Sequence, residues 1–363
     1  MRKSLTAVIC TGLAFSGASW GASLQNGASQ SCPDLSNPLS GTVRLNPGCV
    51  YHQQVTISSS DTHLDCQGAT LDGGMSIKTG ILVAGQGAGI SNVSVKNCIV
   101  RNFVGNGVMV VAGKNQRKRS GVPPMNIVLE GLKVENTRGV GVNFNSYVSG
   151  ASLINSRVSG SVGAGIYLSQ STSANLIAGN EIVNNGRPFG RHKGREGIAI
   201  DSSARNKISN NLIQGNGRGG IFVYKNCGEH FSTGKSVIRW QHSDANEIVD
   251  NKFEGGEVGV WLASRQSRNQ KNWDCGDKPV DPKGKYYNDY ADHNVVTGNS
   301  FCNLKAGVIV EGDHNRVENN RFDSSVQSQF VEPYREKPKP NGSSSEGNIF
   351  SGNVSEETQC GSR

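Results

Sequence analysis

The sequence predicts an all-β solenoid, a ladder of short strands coiled one above the next. Three observations predict it. Of 363 residues, 47 are Gly and only 6% are aromatic. Many turn formers and few large side chains suit repeated short strands better than one globular core. From Thr62 onward a unit recurs: Asn, any residue, Ile or Val, two residues, Asn, any residue, Ile or Phe, a short gap, then Gly-Ile-any-Val. The segment after each Gly alternates in polarity, which is the period of a strand with one face buried.

Residues 1–21 read as a signal peptide. Arg2 and Lys3 form a basic start, Leu5 to Phe15 an apolar centre, and small residues follow. The apolar run is too short to span a bilayer and no later stretch is long enough. The expectation is an exported protein, periplasmic or secreted, with no membrane span. Residues 22–60, with Cys32-Pro33 and Asn46-Pro47-Gly48-Cys49, read as an N-terminal cap over the exposed first edge. Residues 61–353 carry about ten coils of three short strands each. The spacing from Val295 to Val317 is one bare coil. Elsewhere the coils carry insertions at 187–196, 226–244, 266–292 and 331–347, and residues 354–363 are a tail. The first three insertions fall in consecutive coils beside the same Gly-Ile strand. Long loops on a rigid scaffold are where function usually sits.

Asn97, Asn155, Asn180, Asn211, Asn251, Asn299 and Asn320 read as one structural ladder. Asn tolerates a left-handed corner, and stacked amides can bond from coil to coil. With Cys10 inside the signal, eight cysteines remain, an even set that suggests disulfides in an exported chain. The order of a stacked solenoid favours neighbours: Cys32–Cys49, Cys66–Cys98, Cys227–Cys275 and Cys302–Cys360. No Cys or His spacing suggests zinc. The formal net charge of +8 suits an acidic partner. The Arg117-Lys118-Arg119 cluster is too short for a nucleic-acid arm. The chain is expected to be a monomer.

Residues 195–265 hold the candidate site. In register, the strands starting at Gly197, Gly220 and Gly259 would stack Ala199, Phe222 and Trp261 in one outward column. Asp201, Tyr224 and Ala263 would form the next, with Lys225 and Arg265 just beyond. Elimination from a uronate needs a neutralised carboxylate, a base for the C5 proton and an acid for the leaving oxygen. Arg265 and Arg195 suit the first task. Lys225, His230 or His242 suit the second, since a desolvated or cation-flanked Lys loses its proton more readily. Tyr224 suits the third. Asp201 and Glu196 flank one strand and suit a hydrolase pair, a Ca2+ site or a brace for Arg195. Tyr167, Asn143, Tyr224, Trp261 and Glu229 are candidate substrate contacts, the aromatics by stacking on sugars. Each has a plainer counterpart: a solvated strand end for Lys225 and Arg265, a structural salt bridge for Asp201 and Glu196, and loop packing for Trp261.

The repeat Asn-x-Ile-x-x-Asn-x-Ile followed by Gly-Ile-x-Val, matched from about Thr62 to Asn353, resembles the right-handed parallel β-helix superfamily. The resemblance implies that fold. It also implies a choice among pectate and alginate lyases, mannuronan C5-epimerases, polygalacturonase-type hydrolases, NosD-like periplasmic copper-accessory proteins, and phage or adhesin β-helices. The Asp-Pro-His-Asp string of the epimerases is absent. The nearest strings here are Tyr290-Ala291-Asp292-His293 and Gln241-His242-Ser243-Asp244. The paired Asp-Asp of the hydrolases and the glycine-rich calcium nonapeptide are absent too. The expectation is a polysaccharide lyase acting on a uronic-acid-containing polymer. The alternatives are a glycoside hydrolase using Asp201 and Glu196, and a non-enzymatic periplasmic binding or assembly protein.

Overall fold

The computed structural model describes residues 32–85, 89–112, 122–190, 193–227, 239–266, 269–271, 273, 275–356 and 360. The signal segment, Arg117 to Arg119, Glu229 and His230 lie outside them. The chain divides into a short unit, Met1–Pro33, and one continuous body, Asp34–Arg363.

The body is a right-handed parallel β-helix. Its strands stack in three columns, and among the described residues every pairing between strands is parallel, with an isolated antiparallel bridge from Pro279 to Tyr287 in the 266–292 insertion. One column is a separate sheet of eleven strands, from Thr42–Arg44 to Ile349–Ser351. The other two are fused because Lys252–Leu262 and Ser300–Val310, each of 11 residues, run through both. Among the described residues, no helix is long and apolar enough to cross a membrane.

Alternation dictates what fills the coil. Ile198, Ile221, Val260 and Val308 stack in register, as do Ile200, Val223, Leu262 and Val310, and all are fully buried. Each such side chain contributes about 1.5–3 kcal/mol by leaving water. Phe253, Phe301 and Phe322 stack face to face at 4.8 Å, which matches the strand spacing of about 4.7–4.9 Å. Gly opens the strands because the corner has no room. A Cβ on Gly220 would lie 2.4 Å from the Gly259 carbonyl oxygen and 2.5 Å from the Phe253 ring.

The expected single Asn ladder divides into separate jobs. Asn180, Asn211, Asn251, Asn299, Asn320 and Asn353 bond amide to amide along the stack. Asn175, Asn206, Asn246, Asn294, Asn315 and Asn348 form a second ladder at another corner. The left-handed residue is the one before each rung of the first ladder: Gly179, Asn210, Asp250, Gly298, Asn319 and Gly352. Asn97 and Asn155 occupy that left-handed position rather than a rung, with φ of 56° and 49°. In the Asn155 coil the rung is Ser156, whose N–H donates to Asn180 Oδ1 at 2.9 Å. One residue cannot supply both a left-handed backbone and an inward amide, so the sequence uses two in a row.

Disulfides join Cys66 to Cys98, Cys227 to Cys275 and Cys302 to Cys360. Cys32 and Cys49 are disulfide-bonded as well.

Candidate functional site

The third column carries a groove of about 530 Å³ on its outer face. Strand pairing sets its floor. Asn143, Tyr167, Ala199, Phe222, Trp261 and Ile309 stand opposite one another in successive coils. In the next outward column Ser169 faces Asp201, and Asp201 faces Tyr224. Phe222 and Trp261 meet edge to face at 5.3 Å. They pack with Val258, Ala306, Ile309 and Val331 into an apolar platform that continues the floor.

Across the groove the two flanks differ. Arg195, Glu196 and Arg218 lie at the start of the strands, and Asn226, Ser264 and Arg265 at their end. By the strand register, six or more residue steps separate the flanks, about 20 Å. Tyr167 and Tyr224 lie between them. The Tyr224 hydroxyl donates to Glu196 Oε1 at 3.1 Å, and the Tyr167 hydroxyl to Asp201 Oδ2 at 2.5 Å. Both phenols are pushed well above the ordinary tyrosine range. Removal from water is the main cause, and the negative charges of Glu196 and Asp201 add to it. Both tyrosines therefore remain protonated donors at neutral pH.

Asp201 stands on the outward side yet is fully buried. Besides Tyr167 it accepts from Ser202 Oγ and from the Asn226 backbone N–H, each at 2.8 Å. Glu196 is 3% exposed and lines the groove. Arg265 donates from Nη1 to Asn226 Oδ1 at 2.7 Å and lies 5.6 Å from the Trp273 ring. Arg218 sits at the same distance over Phe222.

Lys225 and His242 take another path. Lys225 is fully buried and donates to Asp277, which also hydrogen-bonds His242 Nε2 at 3.0 Å. Burial holds the Lys225 amine below its ordinary pKa, against the pull of Asp277. Neither residue is among those lining the groove. Together with the Cys227–Cys275 disulfide they bind the 226–244 insertion to the 266–292 insertion. The groove thus gathers Arg195, Glu196, Tyr167, Tyr224, Trp261 and Arg265 of the sequence candidates, with Asp201 beneath them. Asn143 lies at the column's far end, 7% exposed, with Oδ1 buried and lacking a partner.

Sequence reading missed Arg218, Ser264 and Asn226. The signal for Arg218 was present: it precedes Gly220 by two residues, as Arg195 precedes Gly197. Ser264 and Asn226 owe their place to the insertions, which no repeat encodes. Among the described residues, one His, Cys, Asp or Glu grouping is tight enough for an ion, Cys302 with Asp323 and Cys360, and its two thiols are joined in a disulfide. A second hollow of about 600 Å³, between Phe330, Phe350 and the charged 332–337 loop, has no comparable buried polar pair.

The model of the right handed beta helix region matches residues 79–274, more than half of the chain. The chain belongs to the right handed beta helix family. No curated protein sequence matches it. Among solved structures, this β-helix is similar to the Dettilon tailspike protein (gp208), with 14% identity over 88% of this chain and 54% of that one, at a TM-score of 0.50. It is similar to the alginate lyase from Paenibacillus sp. str. FPU-7, with 13% identity over 87% and 92% of the two chains, at a TM-score of 0.48. The mannuronan C-5 epimerase AlgE6 A-module of Azotobacter vinelandii follows at 15% identity, 88% and 81% coverage and a TM-score of 0.46. The likeness to the tailspike protein, at 14% identity, shows the fold alone.

Proposed function

We propose that the protein is an exported polysaccharide lyase that cleaves a uronic-acid-containing polymer by β-elimination. The observation that carries this reading is the groove itself: two arginines, Arg195 and Arg218, on the same flank as a carboxylate hydrogen-bonded to a protonated phenol, with Arg265 on the opposite flank. Arginine binds carboxylates through paired N–H donors and keeps its charge at any working pH. Arg195 and Arg218 would neutralise the carboxylate of the reacting uronate, which acidifies its C5 proton. Glu196 would take that proton as the C4–C5 double bond forms and the bond to the leaving oxygen breaks. Tyr224 would give its hydroxyl proton to that oxygen while receiving the one held by Glu196. The proton thus passes from C5 to the leaving group with no lasting phenolate, which the raised Tyr224 pKa disfavours. Phe222 and Trp261 offer a stacking surface to neighbouring sugar rings. The disulfides fit an oxidising compartment outside the cytoplasm.

A two-carboxylate hydrolase has less support. Asp201 is fully buried and already accepts from three donors, which leaves it poorly placed to activate water. The test is a panel of acidic and neutral polysaccharides read two ways. Elimination gives near-ultraviolet absorption from an unsaturated uronate. A reducing end without that absorption means hydrolysis and sinks the lyase reading, and binding with neither product makes the protein a binder.

A further inference from the structure

Arg265 is held in the groove by groups its own coil does not supply. The Ser264 backbone N–H donates to Glu311 Oε2 at 2.6 Å, from the next coil. The Ser264 hydroxyl donates to Asp289 Oδ1 and the Arg265 backbone N–H to Asp289 Oδ2, both at 2.8 Å. Asp289 belongs to the 266–292 insertion and is fully buried. Gln270 Nε2 also donates to it, at 2.9 Å. Glu311 follows the strand Ser300–Val310 in the same outward column as Asp201, Tyr224 and Ala263. Two carboxylates therefore grip both sides of Ser264, and the chain leaves them with Arg265 turned toward Asn226.

We propose that Glu311 and Asp289 are positioning residues for Arg265, and that through it they set the affinity for an acidic polymer. Neither touches the groove, so neither is catalytic. Burying Asp289 and half-burying Glu311 is costly and needs a compensating role. Both are held above the ordinary carboxylate range, chiefly by burial; Glu311 is raised to about 7. A loop that merely needed closing would be served by apolar side chains. The proposal rests on the acidic-polymer reading above.

A double-mutant cycle tests it. Glu311→Ala is expected to raise KM about 5- to 20-fold with kcat nearly unchanged, the mark of lost binding rather than lost chemistry. In an Arg265→Ala background the same change should have almost no further effect, because the two act through one contact. Glu311→Gln, which keeps an acceptor oxygen for the Ser264 N–H, should restore KM. Asp289→Ala repeats the cycle if Glu311→Ala fails to fold. Independent effects of Glu311 and Arg265 overturn the proposal. If no polymer yields an unsaturated product, the lyase reading falls and the proposal is decided separately. The same cycle is then read as retention on immobilised alginate, and in a crystal structure of Asp289→Ala. Arg265 still bonded to Asn226 in that structure overturns it.

Discussion

The Asn ladders and the groove floor both bury polar groups in the same coils, and they satisfy them by opposite means. In the ladder every rung has the same partner above and below. Asn251 Oδ1 accepts from the Asn211 N–H at 3.0 Å and from Asn211 Nδ2 at 2.8 Å, and Asn251 Nδ2 donates to Asn299 Oδ1 at 3.1 Å. In and around the floor each group has its own partner: Tyr224 for Glu196 and Tyr167 for Asp201 and, outside the groove, Asp277 for Lys225 and Ser264 for Glu311. Some have none. Asn143 Oδ1 is buried without a hydrogen-bond partner, and so is Nη1 of Arg239, whose charge reaches Tyr167. The two Asn ladders pair their amides from coil to coil, whereas the region around the floor leaves a donor and an acceptor over, and a ligand's polar groups are able to fill them.

The largest effect should come from the floor. Glu196→Gln removes the proposed base and keeps the bulk. Turnover should fall by about 10²- to 10⁴-fold, the usual worth of one acid–base group. Tyr224→Phe should fall in the same range, and both proteins should melt close to wild type. Turnover of Glu196→Gln within a few-fold of wild type would remove Glu196 from the chemistry.

The ladder should give the reverse pattern. Asn251→Ala strands two donors of Asn211 inside the coil. Each unsatisfied buried group costs about 1–3 kcal/mol, so stability should drop by about 2–4 kcal/mol. Activity per folded molecule should be unchanged. Urea unfolding alongside turnover separates the two, and a loss of turnover without loss of stability would join ladder and floor into one unit.

This contrast also explains what the sequence made legible. The coils, the Gly corners and the stacking of Ala199, Phe222 and Trp261 follow from a pattern that repeats, so a single chain displays it. Asp201, Tyr224 and Glu196 were visible because their strands are repeats too. Lys225 shows where repetition misleads. It lies one residue past Tyr224, beside the column, but Asp277 from a distant insertion draws it away from the groove. Asp277, Asp289 and Ser264 have no counterpart in other coils. Their partners are set by how the 266–292 insertion folds back, and no period in the sequence encodes that.

Lys225 therefore tests the boundary between the two regions. Lys225→Met leaves Asp277 partly exposed and still bonded to His242. The cost in stability should be about 1–2 kcal/mol, because the lysine already bears a large desolvation penalty. Turnover should stay within a few-fold of wild type. A loss of 100-fold or more would return Lys225 to the chemistry and displace Glu196 as the base.

The smallest effect is a matter of pH. Glu311 is raised from an ordinary 4.5 to about 7, first by burial and further by Asp289; the Ser264 N–H and Trp261 oppose the shift. Tyr334 also faces it, and Tyr290 and Lys339 stand behind. Between these two values the folded protein holds a proton on Glu311 that the unfolded chain has lost. Stability must then fall as pH rises through that window and level off above about 7. The full shift corresponds to about 3 kcal/mol, and relaxation of a partly solvated site reduces it to about 1–2 kcal/mol. Gln cannot ionise, yet its oxygen still accepts the Ser264 N–H. Glu311→Gln should therefore match wild type near pH 5 and exceed it by about 1–2 kcal/mol at pH 8 in thermal or urea unfolding. Asn251→Ala, with nothing to titrate, should lose the same amount at both pH values. A Glu311→Gln difference that is equal at pH 5 and pH 8 would mean the carboxyl is ionised throughout, and the floor would then hold its charges as uniformly as the ladder holds its amides.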